Sequence, residues 1–89
     1  LRVVNSGNDK LVKVKFSPNG IYIATVNDKG TVYIWNLASN KLNKQIGGNQ
    51  FKVINVSYSK DGNKIAVRGV DGRIQIWFLK SNKVFRIFK

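Results

Sequence analysis

A glycine-led apolar segment that reaches a tryptophan occurs twice in this chain. Gly30-Thr-Val-Tyr-Ile-Trp-Asn-Leu37 and Gly72-Arg-Ile-Gln-Ile-Trp-Phe-Leu79 lie 42 residues apart. The same shift superimposes positions 5–47 on 47–89 without a gap. It pairs Lys10 with Lys52, Val14 with Val56, Ser17 with Ser59, Gly20 with Gly62, Ile23 with Ile65 and Ala24 with Ala66. Beyond the glycines it also pairs Ile34 with Ile76, Trp35 with Trp77, Leu37 with Leu79, Ser39 with Ser81, Asn40 with Asn82 and Lys41 with Lys83. These matches fall at turn residues and at apolar strand positions, where a shared backbone constrains the side chain. A repeat of this length cannot bury its apolar face alone, so repeats of its kind stack on one another.

Within each copy, short β-rich runs alternate with turn chemistry. The first runs from Leu11 to Phe16, with Val12, Val14 and Phe16 alternating with Lys13 and Lys15. It stops at Ser17-Pro-Asn-Gly20, where Pro presets φ and Gly tolerates positive φ. Ile21 to Val26, Thr31 to Leu37 and Lys41 to Ile46 follow, separated by Asn27-Asp-Lys-Gly30 and Ala38-Ser-Asn40. The second copy repeats the scheme as Lys52–Tyr58, Lys64–Gly69, Arg73–Leu79 and Lys83–Phe88. Runs this short, β-branched and regularly interrupted predict strands and leave no helix of useful length. Short connections join antiparallel neighbours, so each copy is predicted to be a four-stranded meander. The run Ile74 to Leu79 is apolar on both faces, which suits a sheet covered on both sides.

These residues resemble the WD-repeat family of β-propellers, whose repeats of about 40–45 residues form four-stranded blades with a Gly-His…Trp-Asp signature. Phe16-Ser-Pro-Asn-Gly20 and Tyr58-Ser-Lys-Asp-Gly62 are similar to the family's aromatic-Ser-Pro-Asp-Gly turn. Ile23-Ala-Thr25 and Ile65-Ala-Val67 are similar to its Leu-Ala-Ser strand. The two glycine-led segments are similar to its Gly-Thr-Val-Arg-Leu-Trp-Asp-Leu strand. The chain departs from the pattern in having no His, with Gly7 and Asn49 at the usual positions. Lys29 stands where the second copy has Asp71, and Asn36 and Phe78 follow the tryptophans. The family's buried His–Ser–Trp–Asp relay therefore cannot form.

The resemblance implies an all-β fold of propeller blades: two four-stranded antiparallel meanders plus one extra N-terminal strand. Residues 1–4 would be the outer strand of a preceding blade, 5–46 the first repeat and 47–89 the second. Propellers close with four to eight blades, so the remaining blades are expected as partners, supplied by the same chain or by other copies. A segment of a longer propeller is the favoured arrangement. Trp35 and Trp77 recur at the family's core tryptophan position and are assigned to packing between blades rather than to base stacking. Phe16, Tyr58, Phe78 and Phe85 are assigned to the same core, and Gly30 and Gly72 to the turns that open the third strands.

Sixteen Lys and Arg stand against four Asp and no Glu, a formal charge of +12. Such a balance favours polyanionic partners, whether nucleic acid, an anionic membrane surface or acidic protein, but solubilising surface lysine is the default reading and outweighs a dedicated nucleic-acid site. With family topology, the loops between first and second and between third and fourth strands share one face. That face would carry Lys60, Lys64, Lys80 and Lys83, with Lys41 and Lys44 on the neighbouring blade. The opposite loops would carry Lys10, Lys29, Lys52 and Arg73, but also Asp9, Asp28 and Asp71. The first face is the candidate basic docking surface.

Catalysis has little to work with. His, Cys, Met and Glu are absent, which removes the usual general bases, thiol nucleophiles and most metal ligands. Asp9, Asp28, Asp61 and Asp71 fall in turns, where Asp serves local backbone bonding, and Gly47-Gly48 lack the strand–helix context of a phosphate loop. No catalytic, metal or cofactor site is expected. The family resemblance implies a non-catalytic protein-interaction scaffold in a larger assembly, with an RNA- or ribonucleoprotein-binding segment as the alternative. A membrane surface ranks third, because the paired-arginine loop of one phosphoinositide-binding propeller family is missing. No apolar run approaches the roughly 18 residues needed to span a bilayer. The expected setting is intracellular and cytoplasmic, in a cytoskeletal or nuclear assembly as alternatives.

Overall fold

Alternation of apolar and polar residues, cut every few residues by Gly, Asn, Asp or Ser, produces eight strands in the computed structural model, which describes residues 10–48, 51–81 and 83–88. They are β1 (Leu11–Phe16), β2 (Tyr22–Asn27), β3 (Thr31–Asn36), β4 (Lys41–Gly47), β5 (Val53–Tyr58), β6 (Lys64–Gly69), β7 (Ile74–Phe78) and β8 (Val84–Phe88). They form two four-stranded sheets with strand orders β1-β2-β3-β4 and β5-β6-β7-β8. Every pairing is antiparallel. The meanders expected from the sequence are therefore present, with strand ends shifted by a residue or so. The expected strand over residues 1–4 lies outside the described residues.

The two copies share their irregularities as well as their order. The ladder slips between Leu11 and Lys13 in the first sheet and between Val53 and Asn55 in the second. It slips again between Ile34 and Trp35, and between Ile76 and Trp77. Such bulges increase local twist and re-aim side chains, and they recur here at the 42-residue spacing.

Directly paired residues in a sheet share a face, so the register defines which face each side chain occupies. On one face of the first sheet lie Ala24 and Ile34, paired with each other, and Val26, Val32 and Ile46, paired in a row. On the facing side of the second sheet lie Val56 and Val67, paired, and Ile65, paired with Trp77. These side chains, with Val53, Phe51 and Leu79, make one buried cluster, and Tyr22, Tyr58 and Trp77 pack against it. The core is thus the layer between the sheets. Sheet-on-sheet packing of this kind places two pleated faces about 10 Å apart.

Polar contacts frame that layer. The backbone N–H of Val53 donates to the carbonyl of Gly30 across the sheets at 2.9 Å. Asn43 Nδ2 donates to the Leu79 carbonyl at 3.0 Å, Asn19 Nδ2 to that of Asp61 at 3.3 Å, and the Tyr58 hydroxyl to that of Lys15 at 3.3 Å. Lys13 Nζ donates to Asn55 Oδ1 at 3.3 Å.

Two of the aromatic residues expected between blades, Phe16 and Phe85, are not part of the layer between these two sheets. Phe16 is 66% exposed rather than part of the layer. It pairs with Ile23, which pairs with Trp35, so it lies on the face of the first sheet turned away from the second. Trp35 shares that face and is half-buried, with its Nε1 enclosed and without a hydrogen-bond partner among the described residues. Tyr58 and Trp77, by contrast, occupy the layer itself. Equivalent repeat positions thus have opposite exposure, because only one face of each sheet meets the other.

The glycines that open the third strands have positive φ, +81° at Gly30 and +90° at Gly72, a conformation costly for any residue with a Cβ. Their surroundings differ. A Cβ at Gly30 would meet Lys52 Cα at 2.8 Å and the Val53 nitrogen at 2.9 Å, whereas at Gly72 it would meet nothing within 4 Å. Gly30→Ala is therefore expected to destabilise the chain clearly more than Gly72→Ala, which carries only the φ cost of about 1–2 kcal/mol. Ile65→Ala, in the centre of the layer, should cost about 2–5 kcal/mol. Urea denaturation followed by tryptophan fluorescence reads all three.

Candidate docking surface

Antiparallel meanders bring the β1–β2 and β3–β4 turns to one end of the first sheet, and the β5–β6 and β7–β8 turns to the same end of the second. In the second sheet the two turns touch, since the Leu79 N–H donates to the Asn63 carbonyl at 2.9 Å. Each turn is built by its own side chains. Ser59 Oγ donates to Asp61 Oδ1 at 2.6 Å and accepts the Lys64 N–H at 3.0 Å. Ser17 Oγ makes the equivalent pair, donating to Asn19 Oδ1 at 2.7 Å and accepting the Tyr22 N–H at 2.9 Å. In the β3–β4 turn, Asn36 Oδ1 accepts from the N–H groups of Ala38 and Ser39, and Asn40 takes a φ of +58°, a conformation Asn tolerates better than most residues.

On this frame Lys60, Lys80 and Lys83 are exposed, and Lys64 is half-buried at the head of β6. Lys64 Nζ lies 5.6 Å from the ring centroids of both Phe78 and Phe85, and those rings meet edge to face at 5.0 Å. Asn63, Lys64, Phe78, Lys80 and Ser81 line an open groove of about 640 Å³. The arrangement offers an apolar floor with two ammonium groups, a hydroxyl and an amide at its margin.

Lys41, first residue of β4, is exposed at the corresponding end of the first sheet. Lys44 lies elsewhere. It sits inside β4, paired with Ile34 on the face turned towards the second sheet, and its Nζ stands 4.3 Å from the Trp77 ring centroid. The ammonium over the indole face is a cation–π contact between the sheets, so Lys44 belongs to their junction rather than to the turn face. Lys60, Lys64, Lys80 and Lys83 thus lie in or beside the turns at one end of the second sheet, Lys41 at the corresponding end of the first, and Lys44 in the junction between them.

Two polar residues of structural weight have no sequence motif of their own. Asn27 is buried at the end of β2, and its Oδ1 accepts the N–H groups of Lys29 and Thr31 at 3.0 and 2.9 Å. It braces the β2–β3 turn in which Lys29 replaces an acid. In the second copy Asp71 performs this task, accepting the Arg73 N–H at 3.0 Å and the Arg73 Nε at 2.6 Å. Gln75 accepts the Trp77 Nε1–H at 3.0 Å. Among the described residues no group of three or more His, Cys, Asp or Glu is placed to hold a metal ion.

A family description, WD domain, G-beta repeat, matches residues 2–36 and again residues 40–77. The chain belongs to the WD40 family. The second match opens one residue before β4 of the first sheet and closes within β7 of the second, so the sequence repeat is out of phase with the sheet. Solved structures carry the same fold. The structure described as the crystal structure of RRP9 WD40 repeats superposes with a TM-score of 0.81 at 19% identity, over 99% of this chain and 28% of that one. The structure described as that of U3-55K superposes with a TM-score of 0.80 at 19% identity, over 99% and 29%. The chain thus spans less than a third of the length of these structures. No curated protein matches its sequence. The two WD40 sheets are blades of the propeller type, and Phe16 and Trp35 lie on a face of the first that a further blade would adjoin.

The turn acids carry a pH dependence. The Ser59 hydroxyl, with the Asn63 N–H, holds the Asp61 carboxyl below its usual value, and the Arg73 N–H, with its guanidinium, does the same for Asp71. A carboxyl with a depressed folded-state pKa adds stability above its unfolded pKa, about 4, and loses that contribution as pH falls through the folded value. Stability should therefore decline below about pH 4. In the Asp61→Asn/Asp71→Asn double variant that acid decline should be shallower, as read by urea midpoints across pH.

Proposed function

We propose that this WD40 segment is part of a non-catalytic protein-interaction scaffold in a larger assembly, and that it docks an acidic protein surface on its turn face. The observation that carries this reading is the groove floored by Phe78 with Lys64 and Lys80 in its lining. Lys60 and Lys83 are exposed in the turns at the same end of the sheet, with Lys41 on the adjoining blade. Asp61 is the only acid in the turns at this end of the chain, and its carboxylate is engaged by Ser59 and Asn63. The field there is net positive, which speeds encounter with an acidic partner. The absence of His, Cys, Glu and Met from the sequence supports a non-catalytic role. An intracellular, cytoplasmic setting, in a cytoskeletal or nuclear assembly as alternatives, accompanies this proposal and is consistent with a chain that uses no cysteine.

The second reading, an RNA or ribonucleoprotein partner, is favoured by the overall charge of +12, since phosphate contacts by lysine release counterions and make binding steeply salt-dependent. Pulldown across graded salt, with and without nuclease, separates the two. Partners retained after nuclease and moderate salt support the protein scaffold, and loss on nuclease supports RNA. Lys41→Glu/Lys80→Glu/Lys83→Glu should weaken association at least tenfold and flatten its salt slope; unchanged association and slope would reduce these lysines to solvated surface.

A further inference from the structure

The outer strands of the two sheets occupy the same repeat position but differ in chemistry. Leu42, Asn43, Lys44, Gln45 and Ile46 of β4 correspond to Val84, Phe85, Arg86, Ile87 and Phe88 of β8. Two polar residues, Asn43 and Gln45, are replaced by Phe85 and Ile87. Both strands are sheet edges, each paired on one side.

The four apolar side chains of β8 divide between its faces. Phe88 pairs with Ile74, and Phe85 stacks on Phe78, so both belong to the face directed away from the first sheet. A following blade would cover them. Val84 pairs with Trp77 and Ile87 with Gln75, which puts them on the face directed towards the first sheet. That face already has its neighbour. Lys44 reaches Trp77, and Asn43 reaches the Leu79 carbonyl, yet Val84 remains 43% exposed and Ile87 51% exposed. No further blade on the opposite face can bury them.

Exposed apolar edge strands template the addition of another strand, and soluble proteins ordinarily blunt them. The charged side chains on and beside this edge are cationic. Arg86 lies on β8 and Lys83 immediately precedes that strand, and β4 contributes Lys41 and Lys44, whereas Arg73 at the head of β7 is already paired with Asp71. We propose that the free edge of β8 is a strand-addition site for an extended acidic–apolar peptide segment of a partner protein. Its main chain continues the ladder beyond β8, alternate apolar side chains cover Val84 and Ile87, and its carboxylates meet Arg86 and Lys83. Main-chain pairing supplies affinity in such complexes, and the alternate side chains supply specificity. This site is on the propeller's rim; it shares Lys83 with the turn face but none of the residues that line the groove.

The test uses the chain and a fluorescein-labelled decapeptide that alternates Glu with Val and Ile. Saturable binding by fluorescence anisotropy is expected. A peptide N-methylated on the amides that would face β8, or an all-Glu decapeptide, should bind at least tenfold more weakly. Val84→Glu/Ile87→Glu should also lower affinity at least tenfold, while Lys60→Glu/Lys80→Glu on the turn face should change it less than threefold. Both apolar positions are already exposed, and the N-methylated peptide tests the site on the unaltered chain. No saturable binding, equal binding of the N-methylated or all-Glu peptide, or indifference to the β8 double variant would overturn the proposal. So would self-association abolished by that variant, which would assign the edge to a second copy. Single-stranded RNA that competes at the same edge and is lost with the same variant would overturn it as well.

Discussion

Everything in this chain depends on one apolar layer, the face-to-face contact of Ala24, Val26, Val32, Ile34 and Ile46 with Val56, Ile65 and Val67. A single four-stranded meander of about forty residues has too little interior to be stable alone. Pairing two of them turns one face of each into a shared core. The remaining faces then differ in consequence rather than in design. Phe16 and Trp35 lie outward on the first sheet, and Ile74, Ile76 and Phe78 on the second, on faces that adjoining blades of a propeller would cover.

The layer also determines which charged groups are free to act. Lys44 and Lys13 are drawn into contacts between the sheets, one over Trp77 and the other onto Asn55. Lys60, Lys80 and Lys83 remain at the turn end, and Arg86 on the rim. The same residue type thus has two settings: the junction where the register points it inward, and open surface where a turn leaves it outward.

Much of the fold was legible in the sequence because backbone demands leave visible marks. Gly30 and Gly72 marked the turns through their need for positive φ, and the spacing of Trp35 and Trp77 marked the third strands. The side-chain environment was less legible. Phe16 and Tyr58 are equivalent in sequence, yet one is exposed and the other packs on the core, because the repeat does not record which face has a neighbour. Lys44 read as one more surface cation, since its pairing with Ile34 and its reach to Trp77 depend on the bulge and on the second sheet. Asn27 was legible as the start of a turn, but only its hydrogen bonds to the Lys29 and Thr31 N–H groups show that it braces a turn whose acid is missing. The division of β8 into a face to be covered and a face left bare required the register.

The central claim is that the two blades fold as one unit through the layer between them. Native-state hydrogen exchange tests it most directly. Amides of Val26 and Ile34 in the first sheet and of Ile65 and Val67 in the second should open with a common free energy, and Ile34→Ala should lower all four by the same amount. Separate free energies for the two sheets, or an Ile34→Ala effect confined to β2 and β3, would contradict the account.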